Sequence, residues 1–195
     1  MLLFPALAAP AFCETLSQGE RDRAMSELHA TRKHFLDSLT GLSEAQWNFK
    51  PDANTWSIAE CAEHIALSED ALLSLVQQKI MQSPPDPSKK EEVKGKDEMV
   101  LKQVPDRSQK FKAPEFLVPA HRWPTQPALI EHFKESRDKL IEYVRTTQED
   151  LRSHFAPHPV MKTLDAYQWI LLVSAHTARH TAQLNEVKAN PNFPK

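Results

Sequence analysis

Between Tyr167 and Val187 the chain reads YQWILLVSAHTARHTAQLNEV, with neither glycine nor proline to interrupt it. Trp169, Leu172, His176, His180, Leu184 and Val187 recur at spacings of three and four, the period of one face of an α-helix. The helix is predicted from near Thr163 to about Ala189, with Pro191 ending it. His176 and His180 therefore sit one turn apart on an apolar stripe, and their rings would point inward together. Burying two imidazoles without partners costs free energy for each, and a shared metal ion removes that cost by taking a nitrogen from both. The competing reading is a pair of core histidines hydrogen-bonded to carbonyls or water.

Spacing alone decides little. With 9 histidines in 195 residues, chance placement gives roughly 0.4 pairs at i, i+4. His154 and His158 share the spacing, but Pro157 lies between them and forbids a regular helix, so that pair reads as a loop coincidence. His64 adds weight to the first pair. It lies near the start of another helical run, on the apolar stripe formed with Cys61, Ile65, Leu72, Leu75 and Val76. In an antiparallel bundle the start of that helix and the later half of the last one can come level. Three histidines on two facing helices supply the usual protein ligands of a catalytic tetrahedral site, with one position left open. Cys61, one turn before His64, is either a fourth ligand that closes the site or a small core residue. His29, His34, His121 and His132 have no matching partners and read as surface or satisfied residues.

Outward from these two runs, four helices are expected. The first spans Ser17 to Leu39, opened by a Ser17–Glu20 capping box and stopped by Gly41, with Ala24, Leu28, Phe35 and Leu39 on one face. A short turn follows at Leu42–Trp47. The second helix begins at a Ser57–Glu60 capping box and runs to about Met81, and the third covers about Pro127 to Thr147 with Leu129, Phe133, Leu140 and Val144 buried. Between them, from Ser83 to Gln126, lie Pro84, Pro85, Pro87, Pro105, Pro114, Pro119 and Pro124, which exclude a long helix. Connections beyond roughly 12 to 15 residues usually have a function or are disordered. Met99, Val100, Val104, Phe111, Phe116, Leu117 and Trp123 are too many apolar residues for a solvated linker. The segment is expected to pack on the bundle, with a short helix near Asp97 to Gln103. With no strand pattern evident, the fold class is all-α: an antiparallel four-helix bundle with a long proline-rich crossover between the second and third helices.

Composition agrees. Three glycines in 195 residues are few for hairpins or nucleotide-binding loops, and 41% hydrophobic content suits one domain, residues 17 to 190. The net charge of −2 is spread without a basic stripe, so nucleic acid is not expected as a partner. No stretch approaches the roughly 20 apolar residues of an integral membrane segment. Residues 1 to 16 are set apart as an apolar N-terminal segment. Within it, Ala9-Pro10-Ala11 has the form of a signal-peptidase site, but a basic start is missing; a signal remnant and a frayed terminus remain as two readings, cytoplasmic and exported locations both open.

The stretch Trp56-Ser57-Ile58-Ala59-Glu60-Cys61-Ala62-Glu63-His64-Ile65 resembles the tryptophan-to-histidine helix opening of the DinB-like (DinB/YfiT-like) superfamily. So does the C-terminal series of His158-Pro159, Trp169 and His176-Thr177-Ala178-Arg179-His180-Thr181-Ala182-Gln183-Leu184, and the two occur in the expected order. Lys162 departs from the pattern, standing where a glycine is expected before the last helix. The resemblance covers roughly Ser17 to Val187 and implies a bundle with a three-histidine metal site. Members include S-transferases and isomerases that use low-molecular-weight thiols, and many proteins described as metal-dependent hydrolases of unknown substrate. The expectation is one divalent ion, zinc or nickel foremost, on His64, His176 and His180, and a small-molecule substrate, with a thiol as a candidate co-substrate. A homodimer is compatible with it. Glu60 and Gln183 are the polar groups expected near the ligands, and a non-catalytic metal-binding or structural bundle is the alternative.

Overall fold

The computed structural model describes residues 15–195, so the apolar start, its candidate cleavage point and Cys13 lie outside the described residues. The described residues are mostly helical and include one small two-stranded sheet. Helix α1 (Gln18–Leu39) is opened by the Ser17–Glu20 capping box, a short α2 (Glu44–Asn48) by Ser43–Gln46, and α3 (Ile58–Leu75) by Ser57–Glu60. These reciprocal bonds satisfy the free N–H groups of a first turn, which is why each helix begins where it does. α3 continues through a π-turn at Val76–Ile80. Short α4 (Lys90–Val93) and α5 (Lys96–Gln103) follow, then α6 (Gln126–Thr146) and α7 (Ala166–Lys188). No helix among the described residues is long and apolar enough to cross a membrane.

The run before α7 corrects the sequence reading. Strands β1 (Phe155–His158) and β2 (Lys162–Asp165) pair antiparallel, so α7 begins at Ala166 behind an Asp165–Gln168 capping box and not near Thr163. Lys162 has φ 61°, the left-handed conformation for which glycine is the usual choice, so the position has the expected backbone with an unexpected side chain. His158 closes this turn, its Nδ1 accepting from the N–H groups of Val160 and Met161.

α1, α3, α6 and α7 pack on one another. Their directions follow from bonds at their ends. Tyr167 Oη donates to Glu20 O and Lys188 Nζ to Ser38 O, so α1 and α7 run parallel. Gln126 Nε2 donates to Leu39 O while Arg21 donates to Val144 O and Thr147 O, so α1 and α6 are antiparallel. α3 runs with α6 and against α7. An order in which every neighbour is antiparallel is therefore not what forms. Joining two parallel helices makes the intervening chain travel back along α6, whose 21 residues span about 30 Å, and this accounts for the length of the segment between them.

The core divides in two. Leu28, Leu140, Ala175 and Val76 belong to one apolar cluster, and Phe35, Phe133, Leu184 and Ala66 to the other. Between them on each helix falls a polar residue: Thr31, Arg137, Thr177 and Glu69. The guanidinium of Arg137, wholly buried, pairs with both oxygens of Glu69 and also donates to Thr31 Oγ1, Leu28 O and Thr177 Oγ1. Removing one partner of such a pair leaves a buried charge uncompensated. We expect Arg137→Ala to lower the unfolding free energy by about 3–5 kcal/mol, and Arg145→Ala, which breaks only the exposed pair with Glu142, to change it by less than about 0.5 kcal/mol. Urea titrations of the two variants check the contrast, and equal effects would remove Arg137 from its central place.

Candidate metal centre

His64 lies in the second turn of α3, and His176 and His180 lie at and just past the middle of α7. Because these helices run in opposite directions, the three rings meet. His64 and His180 have ring centroids 4.4 Å apart, as do His176 and His180, and His64 and His176 are 5.0 Å apart. One ligand-capable nitrogen from each lies within 4.8 Å of the other two. His64 Nε2 and His176 Nε2 are separated by 3.3 Å, against the about 3.3–3.4 Å between two nitrogens held on one tetrahedral ion at 2.0–2.1 Å. Trp56, just before the cap of α3, packs against this group, its ring 4.9 Å from that of His64 and 6.3 Å from that of His180.

The outer nitrogens settle which way the lone pairs face. His64 Nδ1 lies 2.8 Å from Leu117 O. A carbonyl can only accept, so Nδ1 carries the proton and Nε2 of the neutral ring is a bare acceptor. His180 Nδ1 lies 2.8 Å from Gln183 Oε1, which also accepts from Arg107 Nη1 at 3.1 Å and is thereby identified as the amide oxygen. Its Nε2 is likewise bare. Imidazole ligands characteristically hold their other nitrogen on a carbonyl in this way. Electrostatics keep the rings neutral. Burial lowers the His64 pKa against the raising effect of the Leu117 carbonyl, burial and then His180 and His64 push His176 well down, and burial followed by His64 brings His180 to about 3. Three neutral rings, with the Nε2 lone pairs of His64 and His180 turned toward the centre and His176 beside them, could hold one divalent ion.

A model of the DinB superfamily matches residues 27–184. The chain belongs to the DinB superfamily. It is 29% identical over 164 residues to the uncharacterized protein YuaE of Bacillus subtilis (strain 168), a match that covers 84% of this chain and 96% of that one. No solved structure matches it.

Other positions in this DinB chain sort as follows. Cys61 is wholly buried and not part of the histidine group, and burial pushes its thiol up to about 12, so it is a core residue and not a fourth ligand. Glu60 is engaged by Lys50 Nζ, 2.8 Å from both its oxygens, and by the Ser57 N–H; burial raises its pKa, but these partners outweigh that and hold it below the ordinary value. Gln183 is the group that orients His180. The connecting segment gives a mixed result. Leu117 and Trp123 are half-buried, but Phe111 and Phe116 are 62% and 63% exposed, which overturns the expectation that they pack inward. The backbone explains this: the segment is fixed here by polar contacts, with Arg179 donating to Val104 O and Asp106 O and Arg107 pairing with Glu186, so the aromatic side chains are left outside. The Leu117 carbonyl and the buried carboxylate of Glu63 were not foreseen. A signal existed for Glu63: from Ile58 to Glu69 every residue except Glu60 is buried, and the small-residue run IAECAEHIA leaves no solvated face for an acid.

The depressed histidine pKa values have a sign that can be measured. Relative to the ordinary value of 6.5, the folded rings protonate at lower pH than the unfolded ones, so the unfolded state takes up more protons as the pH falls. In metal-free protein this stability is full above about pH 6.5 and is lost progressively on descending from there toward pH 3. Thermal melts of metal-free protein should decline already between pH 6.5 and 5, and His176→Leu should flatten that decline. An unchanged profile in the variant would mean that the rings do not carry the shift.

Proposed function

We propose that this protein is a four-helix-bundle enzyme, residues 17 to 190, that holds one divalent ion, zinc or nickel, on His64, His176 and His180 and acts on a small molecule. The observation that carries this reading is the convergence of three neutral imidazole nitrogens within 4.8 Å of one another. The set contains no thiolate and no carboxylate, so it supplies three ligands and leaves one position of a tetrahedral ion open, the pattern of catalytic sites and not of closed structural ones. A bound divalent ion supplies the Lewis acidity that lowers the pKa of water or of a thiol entering that position.

The protein's own groups favour a nucleophile that needs little further help. Glu60 is held by Lys50, Glu63 by the backbone of residues 120–122, and Glu186 by Arg107. No carboxylate among these is free to act as a general base. A thiol, with an ordinary pKa of about 8.5, ionises far more readily than water, so transfer from a low-molecular-weight thiol is the first reaction to assign and hydrolysis the second. The roles of the chain are then to fix the ring orientations through Leu117 and Gln183, to cover one side of the site with Trp56, and to wall the approach with the segment that precedes α6.

His176→Ala should abolish tight metal binding and leave the helices intact, because the long helices bury far more apolar area than one ligand contributes. Elemental analysis of protein purified without added metal, beside circular dichroism, reads both halves. Thiol-transfer and hydrolysis panels with zinc or nickel should show activity in the wild type and none in the variant. Stoichiometric metal retained by the variant contradicts the ligand assignment, and loss of helicity would instead make the ion structural.

A further inference from the structure

Glu63 is the neighbour of His64 in α3 and meets the same loop. Its carboxylate is buried and accepts three successive backbone N–H groups, from Ala120 at 2.8 Å, His121 at 2.9 Å and Arg122 at 3.2 Å. Consecutive N–H groups aimed at one anion form a nest, a turn that needs a left-handed residue. His121 supplies it with φ 55°, a conformation that a non-glycine residue adopts only at a cost. A buried carboxylate without donors and a left-handed turn without an anion would each be unfavourable, so the two stabilise each other as one clasp. The same loop carries the Leu117 carbonyl on His64 Nδ1, and Arg122 Nη2 donates back to Phe116 O at 3.3 Å, which ties the nest to the residue preceding Leu117.

We infer that Glu63 is a positioning residue for the histidine site: by holding residues 120–122 it keeps the Leu117 carbonyl on His64 Nδ1 and so leaves His64 Nε2 bare for a ligand. Neutral His64 has two arrangements. With Nδ1–H bonded to Leu117 O, its Nε2 lone pair faces the centre. Without that carbonyl, the proton can move to Nε2, and a hydrogen bond to His176 Nε2, 3.3 Å away, would tie up both nitrogens. With His176 protonated on its own Nδ1, the clasp decides between an open and a self-bonded site. The inference rests on the metal reading only for its consequence on affinity, because the tautomer exists with or without an ion.

The experiment has two arms. In the first, the metal-free full-length chain labelled with 15N-histidine is read by long-range 1H–15N correlation, with trypsin cleavage after Arg122 followed in parallel. Wild type should show His64 as the Nδ1–H tautomer and slow cleavage. Glu63→Gln, which turns an acceptor oxygen into an NH2 group facing N–H donors, should shift His64 toward the Nε2–H form and hasten cleavage. His121→Gly, compatible with positive φ, should keep the wild-type pattern, and His121→Val, which resists it, should reproduce Glu63→Gln. In the second arm, zinc is titrated against a chelator. Glu63→Gln should weaken binding about 10- to 100-fold. Glu60→Gln removes the same charge three residues earlier while a glutamine preserves the capping box, and should weaken it far less. A wild-type tautomer and cleavage rate in Glu63→Gln would overturn the inference. If Glu63→Gln fails to fold, the His121→Gly and His121→Val pair decides, and identical behaviour of those two overturns it. A wild-type chain that binds no zinc overturns the metal reading, while the first arm still decides the clasp.

Discussion

One buried cation sets the levels at which the helices meet. Arg137 on α6 reaches Glu69 on α3, Thr177 on α7, and Thr31 with the Leu28 carbonyl on α1, and Thr177 Oγ1 itself donates to Glu69 at 2.9 Å. An ion pair taken wholly out of water is a weak source of net stability, since desolvation offsets most of the attraction, but it tolerates only one arrangement of donors and acceptors. Apolar side chains in the clusters above and below could slide past one another by a turn at moderate cost. A five-donor guanidinium satisfied by partners on three other helices cannot. Glu69 lies five residues beyond His64 and Thr177 one residue beyond His176, so the contact that fixes α3 against α7 also brings the three histidines to one level.

The second constraint is direction. Because α3 and α6 run parallel, the chain between them returns along the molecule, and the contacts record its path: Asp97 beside Arg152 and Gln168 near the start of α7, Arg107 beside Gln183 and Glu186 toward its end, then Leu117 on His64 and residues 120–122 on Glu63. A segment required by topology alone thus arrives at the histidines and supplies the carbonyl that orients one of them. Its prolines reduce the freedom lost on ordering. Polar contacts, not apolar ones, hold its final stretch, which leaves Phe111 and Phe116 facing solvent beside the site.

What could be read from the amino-acid order followed the physics of local signals. Capping boxes at Ser17 and Ser57 located two helix starts to the residue, because a cap is a contact between positions three apart and is written in the sequence. The histidine cluster was legible because three imidazoles fell on apolar stripes of two helices. The β1–β2 hairpin was not: its strands are four residues each, too short for alternation to register, and one contains Pro157. The positive φ at His121 was hidden for a different reason, and that at Lys162 showed only through the family pattern, which has glycine there. Neither is glycine, so nothing local announces a left-handed turn, and only the tertiary partners hold it there. Glu63 and the Leu117 carbonyl, 53 residues from His64, belong to the same class, since a backbone carbonyl has no signature in sequence at all.

X-ray absorption at the metal edge, recorded on protein purified without added metal, tests the central claim most directly. The account requires a first coordination shell of light atoms at about 2.0–2.1 Å, with the outer-ring scattering of three imidazoles. That signal should be absent from His180→Ala, which lacks one of the three ligands. A sulfur shell near 2.3 Å, the distance of a thiolate on zinc, would place Cys61 on the ion and contradict the open three-histidine site, and protein that retains no metal at all would contradict it outright.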